Sequence, residues 1–367
     1  MRSVEWGEYK IEDLFIVKTS KGYDAGKLNF ISKSKETFEF IGRTQSNYGV
    51  QGYVLKLDSE PNDSGCISVS QIGAVHAQLR NKKWYSSQNI FILKPKIDKL
   101  INQWLIVAIN KALSNFGGYS SYPTLSTLKK LTILLPINNE QIDFDFMESF
   151  IAELEAERIA ELSAYLKVSG LDNYELSDEE LKALRDYDSI DFEEFEYQEV
   201  FDKIVQGRRL KKDDQIPGDI PFVMSGVTNT GIVNFISNPV ASFPRNSITL
   251  DIFGNAFYRP YAYGAGDDTG VYWNEENEYS KEVMLYITSS MSRSVAGKYD
   301  YGNKLRSSKS KNIKMKLPAV SKGVLDTDYM RIITNAVMKL AIKDVVQYTN
   351  ERIETTKEVV TSHNTNY

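Results

Sequence analysis

The sequence predicts an α/β (α+β) protein made of two pseudo-repeated globular domains, separated by two long coiled-coil-like helices. Three observations carry this. Phe40-Ile41, Asn47-Tyr48-Gly49-Val50 and Tyr53-Val54 return as Phe222-Val223, Asn229-Thr230-Gly231-Ile232 and Phe235-Ile236, always 182 residues on. Leu135-Pro136 returns as Leu317-Pro318 at that offset, and Asp145-Phe146-Met147 as Asp328-Tyr329-Met330 at 183. Each copy mixes short β-rich segments with one amphipathic stretch, then runs into a long helical stripe. The expected layout is a first globular domain at 1–140, a long helix at 141–169 and an acidic connector with a short helix at 170–194. A second globular domain at 195–322, a second long helix at 323–360 and a disordered tail at 361–367 complete it.

The first unit opens at Trp6-Gly7-Glu8-Tyr9-Lys10-Ile11 and reaches Leu14-Phe15; its echo runs from Phe195 to Val200-Phe201. Strands are expected at 38–41, 50–55, 66–69 and 89–93, between turn formers such as Glu60-Pro61-Asn62-Asp63-Ser64-Gly65. Ile97, Leu100, Ile101, Trp104, Leu105, Ala108, Ile109 and Ala112 recur at spacings of three and four, so 97–113 reads as an amphipathic helix. A Gly/Tyr/Ser loop at 116–122 precedes a closing strand at 131–135, which Pro136 stops. The second unit repeats the plan, with strands at 232–236, 247–252 and 313–317 and a helix near 280–293.

Two apolar stripes near the helical period follow the globular parts. Met147, Ile151, Leu154 and Leu162 in the first, and Met330, Ile333, Val337 and Leu340 in the second, are the expected seam for helix packing and partners. Arg158 and Asp344 interrupt the stripes. Asp145 and Asp328 stand where a carboxylate favours a helix start, by capping or through the dipole. Ser177-Asp178-Glu179-Glu180 reads as a capping box that opens the connector helix.

At 367 residues, 42% apolar and 12% aromatic, the chain has room for two cores. No apolar run approaches the roughly 18 residues that span a bilayer. Met1-Arg2-Ser3-Val4-Glu5-Trp6 does not read as a signal peptide, and a cytoplasmic protein is expected. Cys66 is the one cysteine, and His76 and His363 are the only histidines, so neither a disulfide nor a Cys/His metal centre is expected. The net charge of −5 is unevenly spread: residues 172–202 hold thirteen acidic and two basic groups, a balance of −11, which leaves the remainder at +6. Local charge sets the field at a binding face, so an acidic connector does not exclude an anionic partner.

Catalytic signatures fail in turn. There is no GxxxxGK[ST] loop, no GxSxG elbow, no HExxH and no NPP[FY]; Asn238-Pro239-Val240 and Phe253-Gly254-Asn255 match none of them. Gly264-Ala265-Gly266 is followed by Asp267-Asp268 and lacks the third glycine of a dinucleotide fingerprint. Solvated linker charge accounts for the carboxylates of the connector better than a metal site does. The chain is expected to perform no covalent chemistry alone.

What remains is a duplicated recognition inventory. Arg43, Thr44, Gln45, Ser46, Asn47 and Tyr48 form a run suited to base edges, where Arg pairs with guanine and Asn or Gln with adenine. The second copy carries Ser225, Thr228, Asn229 and Thr230 instead, as expected of halves that read different sequences. Asn47-Tyr48-Gly49 and Asn229-Thr230-Gly231 also read simply as turns between strands. Gln78, Arg80, Lys82 and Lys83, with Trp84 and Tyr85, make one basic and aromatic group; Tyr119 and Tyr122 with Lys129 make another. In the second unit Tyr258, Arg259 and Tyr263 precede Lys298, Tyr301, Lys304, Arg306 and Lys309. Such density suits phosphate contacts. Lys314 and Lys316 suit the solvent face of a strand equally well.

The order of these parts is a Trp-to-Leu-Phe opening, a strand–Asn-x-Gly–strand block, a Tyr/Gly loop, a closing Leu-Pro strand and an Asp-[Phe/Tyr]-Met helix, all present twice. It resembles the DNA-specificity subunits of type I restriction-modification systems, especially the BcgI-like branch of type IIB systems. The resemblance rests on Trp6–Phe15, Phe40–Val54, Leu131–Pro136 and Asp145–Phe150, and on the echoes Phe222–Ile236, Lys316–Pro318 and Asp328–Ile332. It implies two target-recognition domains with the two long helices packed antiparallel between them. Each domain is then expected to read one half of a split, asymmetric target in double-stranded DNA. Methyltransferase (modification) subunits are expected to dock on the helices, with an endonuclease fused to them or in a chain of its own. S-adenosylmethionine and Mg2+ are expected in those partners and not in this chain. About 25 helical residues span roughly 37 Å at ~1.5 Å per residue. That is close to the ~34–36 Å turn of B-DNA, so such helices suit a ruler. Ser225 stands opposite Arg43, so bases cannot be assigned by analogy, and the second opening lacks the Trp of Trp6.

Two other classes stay open at this point. One is a stand-alone restriction enzyme or DNA methyltransferase with a divergent active site. The other is a paired β-rich module for protein or glycan, which salt-dependent DNA binding would separate from the first reading.

Overall fold

The computed structural model describes residues 4–118 and 120–364, and divides the chain into two compact units, Met1–Ala160 and Glu161–Tyr367. Both units are built on the same three sheets. In the first, Glu5–Lys10 pairs antiparallel with Thr132–Asn138, which pairs with Gln141–Ile142. A four-stranded antiparallel sheet runs Phe15–Thr19, Ile90–Pro95, Cys66–Ser70, Ala77–Arg80. A mixed sheet runs Gly22–Tyr23, Trp84–Ser87, Phe38–Ile41, Val50–Val54, with Trp84–Ser87 parallel to both its neighbours. In the second unit the three sheets are Phe192–Glu196 with Lys314–Ser321 and Val324–Leu325; Lys203–Gln206, Thr269–Trp273, Ser247–Asp251, Ala256–Arg259; and Ile232–Ile236, Pro217–Val223, Tyr263–Ala265, Ser242–Phe243. They differ at one edge, where Ser242–Phe243 runs antiparallel to its neighbour.

One helix per unit seals the antiparallel sheet. Gln103–Leu113 buries Leu105, Ile109 and Leu113 in one cluster with Ile67, Val69 and Leu93. It starts later than the apolar spacing predicts. Asp98–Leu100 forms a 3-10 turn, and Asn102 caps the helix by accepting from the Leu105 N–H at 3.0 Å. Lys281–Val295 buries Val283, Met284, Ile287 and Met291 against the equivalent sheet. The strands at 77–80, 84–87, 256–259, 263–265 and 269–273 were not expected. They are three to five residues long, carry polar side chains, and are held by ladder partners more than by their own pattern.

The long helices are Phe144–Val168 and Thr327–Asn364. Their caps are Asp143 and Asp326, each accepting from a backbone N–H three residues on at 2.9 Å. Asp145 and Asp328 therefore lie in the first turn and act through the dipole. The second helix runs four residues into the stretch expected as a disordered tail; residues 365–367 lie outside the described residues. The predicted seam also needs correcting. Met147 and Met330 are 0% exposed and belong to the core of their own unit, and Ile333 packs on the connector. Ile151 and Leu162 are half-buried, while Leu154, Val337 and Leu340 are exposed. The first turns of each stripe thus root the helix in its globule; beyond them Leu154, Val337 and Leu340 are on the surface, while Leu166 and Val346, farther along, are buried again. Among the described residues, no helix is long and apolar enough to cross a membrane.

The connector is more than solvated charge. Asp178–Arg185 is a helix with the expected Ser177/Glu180 capping box, and Ala183 packs with Tyr329 and Ile333. Lys339 donates to Glu180 Oε2 and to the Glu175 carbonyl, both at 2.9 Å. Burial opposes ionisation of Glu180, but hydrogen bonds from Lys339 and the Ser177 backbone outweigh it and hold the carboxyl below its ordinary value. Its contribution is therefore present above the unfolded carboxyl pKa and lost as pH falls through the folded one. Lys339→Met is expected to cost about 1.5–3 kcal/mol, the worth of a hydrogen bond to a charged group. Faster amide exchange at 181–184 would register it, and unchanged protection there would refute the latch.

The same helix separates the two units in character. In the second unit its Ala183 and Leu184 pack on the apolar face made by Tyr286 and Ile333 and leave a smaller open groove there, of about 630 Å³. The counterparts of these two residues in the first, Trp104 and Phe150, line an open groove of about 820 Å³ with Trp6, Val107, Leu134 and Leu154. Trp104 stacks on Trp6 at 6.1 Å and meets Phe150 edge-on at 5.4 Å.

Candidate nucleic-acid interface

The duplicated Asn-x-Gly block folds the same way twice. Asn47 (φ 49°), Tyr48 (φ 51°) and Gly49 (φ 76°) are three successive left-handed residues, and Asn229 (47°), Thr230 (52°) and Gly231 (84°) repeat them. The hairpin is closed identically, by Gly42 N–H donating to the Gly49 carbonyl at 2.8 Å and Met224 N–H to that of Gly231 at 2.9 Å. Gly tolerates this region; Tyr and above all a β-branched Thr do not adopt it without a compensating contact. Each Asn spends its amide on the turn, Asn47 Nδ2 donating to the Val50 carbonyl and Asn229 Nδ2 to that of Ile232.

The compensating contact is a buried arginine. Arg80, 2% exposed, donates from Nε to Ser68 Oγ (2.8 Å), from Nη1 to the Tyr48 carbonyl (2.7 Å) and from Nη2 to Gln78 Oε1 (2.5 Å). Arg259, 1% exposed, donates from Nε to Thr249 Oγ1 (3.0 Å), from Nη2 to the Thr230 carbonyl (2.5 Å) and from Nη1 to Thr230 Oγ1 (3.1 Å). Burial lowers the Arg80 guanidinium to about 10, which leaves it charged near neutrality. Both arginines were expected on the surface as DNA contacts. Each ends one of the unexpected strands with its side chain turned inward, so it holds the turn and does not meet solvent. Tyr263 is likewise buried, its hydroxyl on Ser247, and burial pushes its phenol up. Tyr258 is half-buried and donates to Asn246 Oδ1 at 3.1 Å.

In the first unit an open groove of about 1030 Å³ gathers Gln45, Asn47, Tyr48, Gln78, Arg80 and Lys82 with Asn110 and Phe116. Tyr48 is 78% exposed. Arg43 lies in a smaller hollow of about 450 Å³ with Tyr23, Gln51 and Gln88. Ser46, Lys83 and Tyr122 are exposed, and Thr44 and Lys129 half-buried; Thr44 Oγ1 accepts from the Ser46 N–H at 3.2 Å. Tyr119 lies outside the described residues.

In the second unit loops converge on the turn. Ser225 Oγ donates to Asp268 Oδ2 at 2.7 Å, and Arg306 Nη1 donates to the Asp267 carbonyl at 2.5 Å. Asp251, buried, accepts from the N–H groups of Phe253, Asn255 and Gly226, all at 2.9 Å. Tyr301, 82% exposed, stacks on Phe253 at 6.2 Å and carries Lys304 over its ring at 4.5 Å. Lys298, Lys309 and Thr228 are exposed. Ser68, Thr249, Asp251 and Asp268 were missed as site residues from sequence; for Ser68 and Thr249 the one signal was a polar residue at the middle of matching strands, Cys66–Ser70 and Ser247–Asp251, and Asp268 lies in a turn that gave none. Among the described residues, no group of three or more His, Cys, Asp or Glu is placed to hold a metal ion.

The sequence pattern of the family described as "Type I restriction modification DNA specificity domain" matches residues 3–164 and again 189–348. The specificity subunit S.BcgI of the type II restriction enzyme BgcI of Heyndrickxia coagulans is 28% identical over 334 residues, covering 89% of this chain and 93% of that protein. The crystal structure of the S subunit of a type I restriction-modification system from M. genitalium superposes with a TM-score of 0.60 at 15% identity, over 99% of this chain and 96% of that one. The fold is shared across both units.

Proposed function

The chain belongs to the family of type I restriction modification DNA specificity domains, and on that basis we propose that it is the DNA-specificity subunit of a restriction-modification complex, reading a bipartite, asymmetric duplex target. One observation supports this best: the same strained turn occurs in both units with a different side chain at its tip, Tyr48 in one and Thr230 in the other. Equal scaffolds with unequal tips suit two unlike half-sites. Lys82 at the first groove and Lys298 and Lys309 in the second unit are then phosphate contacts, which fix register without reading sequence.

Catalysis belongs on this reading to partner chains. Methyltransferase subunits cover the exposed apolar residues Phe150 and Leu154 of one long helix and Val337 and Leu340 of the other, and S-adenosylmethionine and Mg2+ are bound in the partner subunits. An endonuclease accompanies them, fused or separate. The test is methylation mapping of a host genome with and without this gene, the methyltransferase gene being intact in both. Loss of one bipartite motif on deletion is expected. Persistence of every motif would overturn the reading, and methylation by the purified chain alone would replace it with a self-sufficient enzyme.

A further inference from the structure

We propose that Arg80 and Arg259 are positioning residues, each setting the half-site selectivity of its own unit by fixing the left-handed turn that presents Tyr48 or Thr230. The inference rests on the specificity reading above and adds a mechanism to it. Two consecutive left-handed L residues persist only where the surroundings over-determine them. Here the carbonyl of the second strained residue is gripped by a guanidinium whose other edge is tied to a strand hydroxyl, Ser68 or Thr249. A planar fork anchored at both edges fixes direction as well as distance, which a single ammonium cannot do.

The strain has a result at the surface. The neighbouring Asn is consumed by the turn, so the tip residue is the side chain left on display. The Tyr48 hydroxyl has no hydrogen-bond partner among the described residues, and the Thr230 hydroxyl accepts from Arg259 and keeps its proton to donate. The arginines themselves stay below the surface and reach DNA only through the residue they hold.

The full chain with its methyltransferase partner is expressed as wild type, Arg80→Lys and Arg259→Lys, and the host methylome is sequenced. Arg80→Lys should raise methylation of sites with one substituted base in one half of the motif about tenfold relative to the cognate site, the discrimination one mismatched pair ordinarily imposes. The other half should stay strict, and Arg259→Lys should reverse the two. Gly49→Ala attacks the clamp from the opposite side, since its Cβ would stand 2.7 Å from Gln78 Oε1 and 3.2 Å from Arg80 Nη2. It should relax the same half as Arg80→Lys. Fewer methylated sites with both halves unchanged, or both halves relaxing together, would overturn the proposal while leaving the specificity reading intact. A wild type that directs no bipartite methylation would overturn both.

Discussion

Met147→Asp and Met330→Asp are each expected to unfold the unit in which they sit. Both methionines are 0% exposed and sit in the first turn of a long helix, packed into the core beneath it. Emptying a core Met costs about 2–5 kcal/mol. A carboxylate there adds the penalty of burying a charge without water or a partner. Against the roughly 5–15 kcal/mol that hold a domain together, that sum is decisive. The sign of the pH dependence follows. The new carboxyl would have a raised pKa in the folded unit, so the loss is fully expressed above that pKa and relieved as the group protonates at low pH. Hydrogen exchange reads each unit separately, at Cys66–Ser70 for the first and Ser247–Asp251 for the second. Leu154→Asp, on the exposed part of the same helix, should change protection by no more than about 0.5 kcal/mol. If Met147→Asp exchanges like the wild type, the helix is not rooted in the core and its first turn is merely laid upon it.

That contrast also shows what a single sequence can reveal. The two-unit plan, the sealing helices and the long stripes were legible because each writes a period into the chain, and the second copy confirms the register of the first. The seam was misassigned at Met147, Met330 and Ile333 because a helical stripe records which residues are apolar and not what covers them; Met147 and Leu154 look alike in sequence and differ in depth. The turns were legible from Asn-x-Gly. Arg80 and Arg259 were not, for a physical reason: each closes a four-residue strand with too little pattern to be seen, so its charge suggested solvent. A buried guanidinium needs oxygen atoms around it, and those come from Ser68, Thr249 and two turn carbonyls that no local pattern brings together.

Lys82→Ala combined with Lys83→Ala is expected to separate backbone contact from base reading. Both lysines are exposed, and Lys82 rims the groove that holds Tyr48, with Glu39 3.7 Å away as a weak surface partner. A lysine that neutralises a phosphate releases a counterion, so each lost contact lowers the slope of log affinity against log salt by about 0.9. The pair should lower it by about 1.8 and, extrapolated from 1 M salt, weaken binding roughly 60-fold at 0.1 M. The loss should be the same on cognate and altered targets, because phosphates carry no sequence. Tyr48→Ala should do the opposite: a loss of about 1–3 kcal/mol on the cognate half-site alone, at an unchanged salt slope. Titrations of the assembled complex on both targets at several salt concentrations read the two effects independently. An unchanged slope in the double lysine variant would remove these residues from the DNA-facing surface. A Tyr48→Ala complex as selective as the wild type would show that the groove is read from elsewhere, with Gln45 and Gln78, which line the same walls, as the next side chains to test.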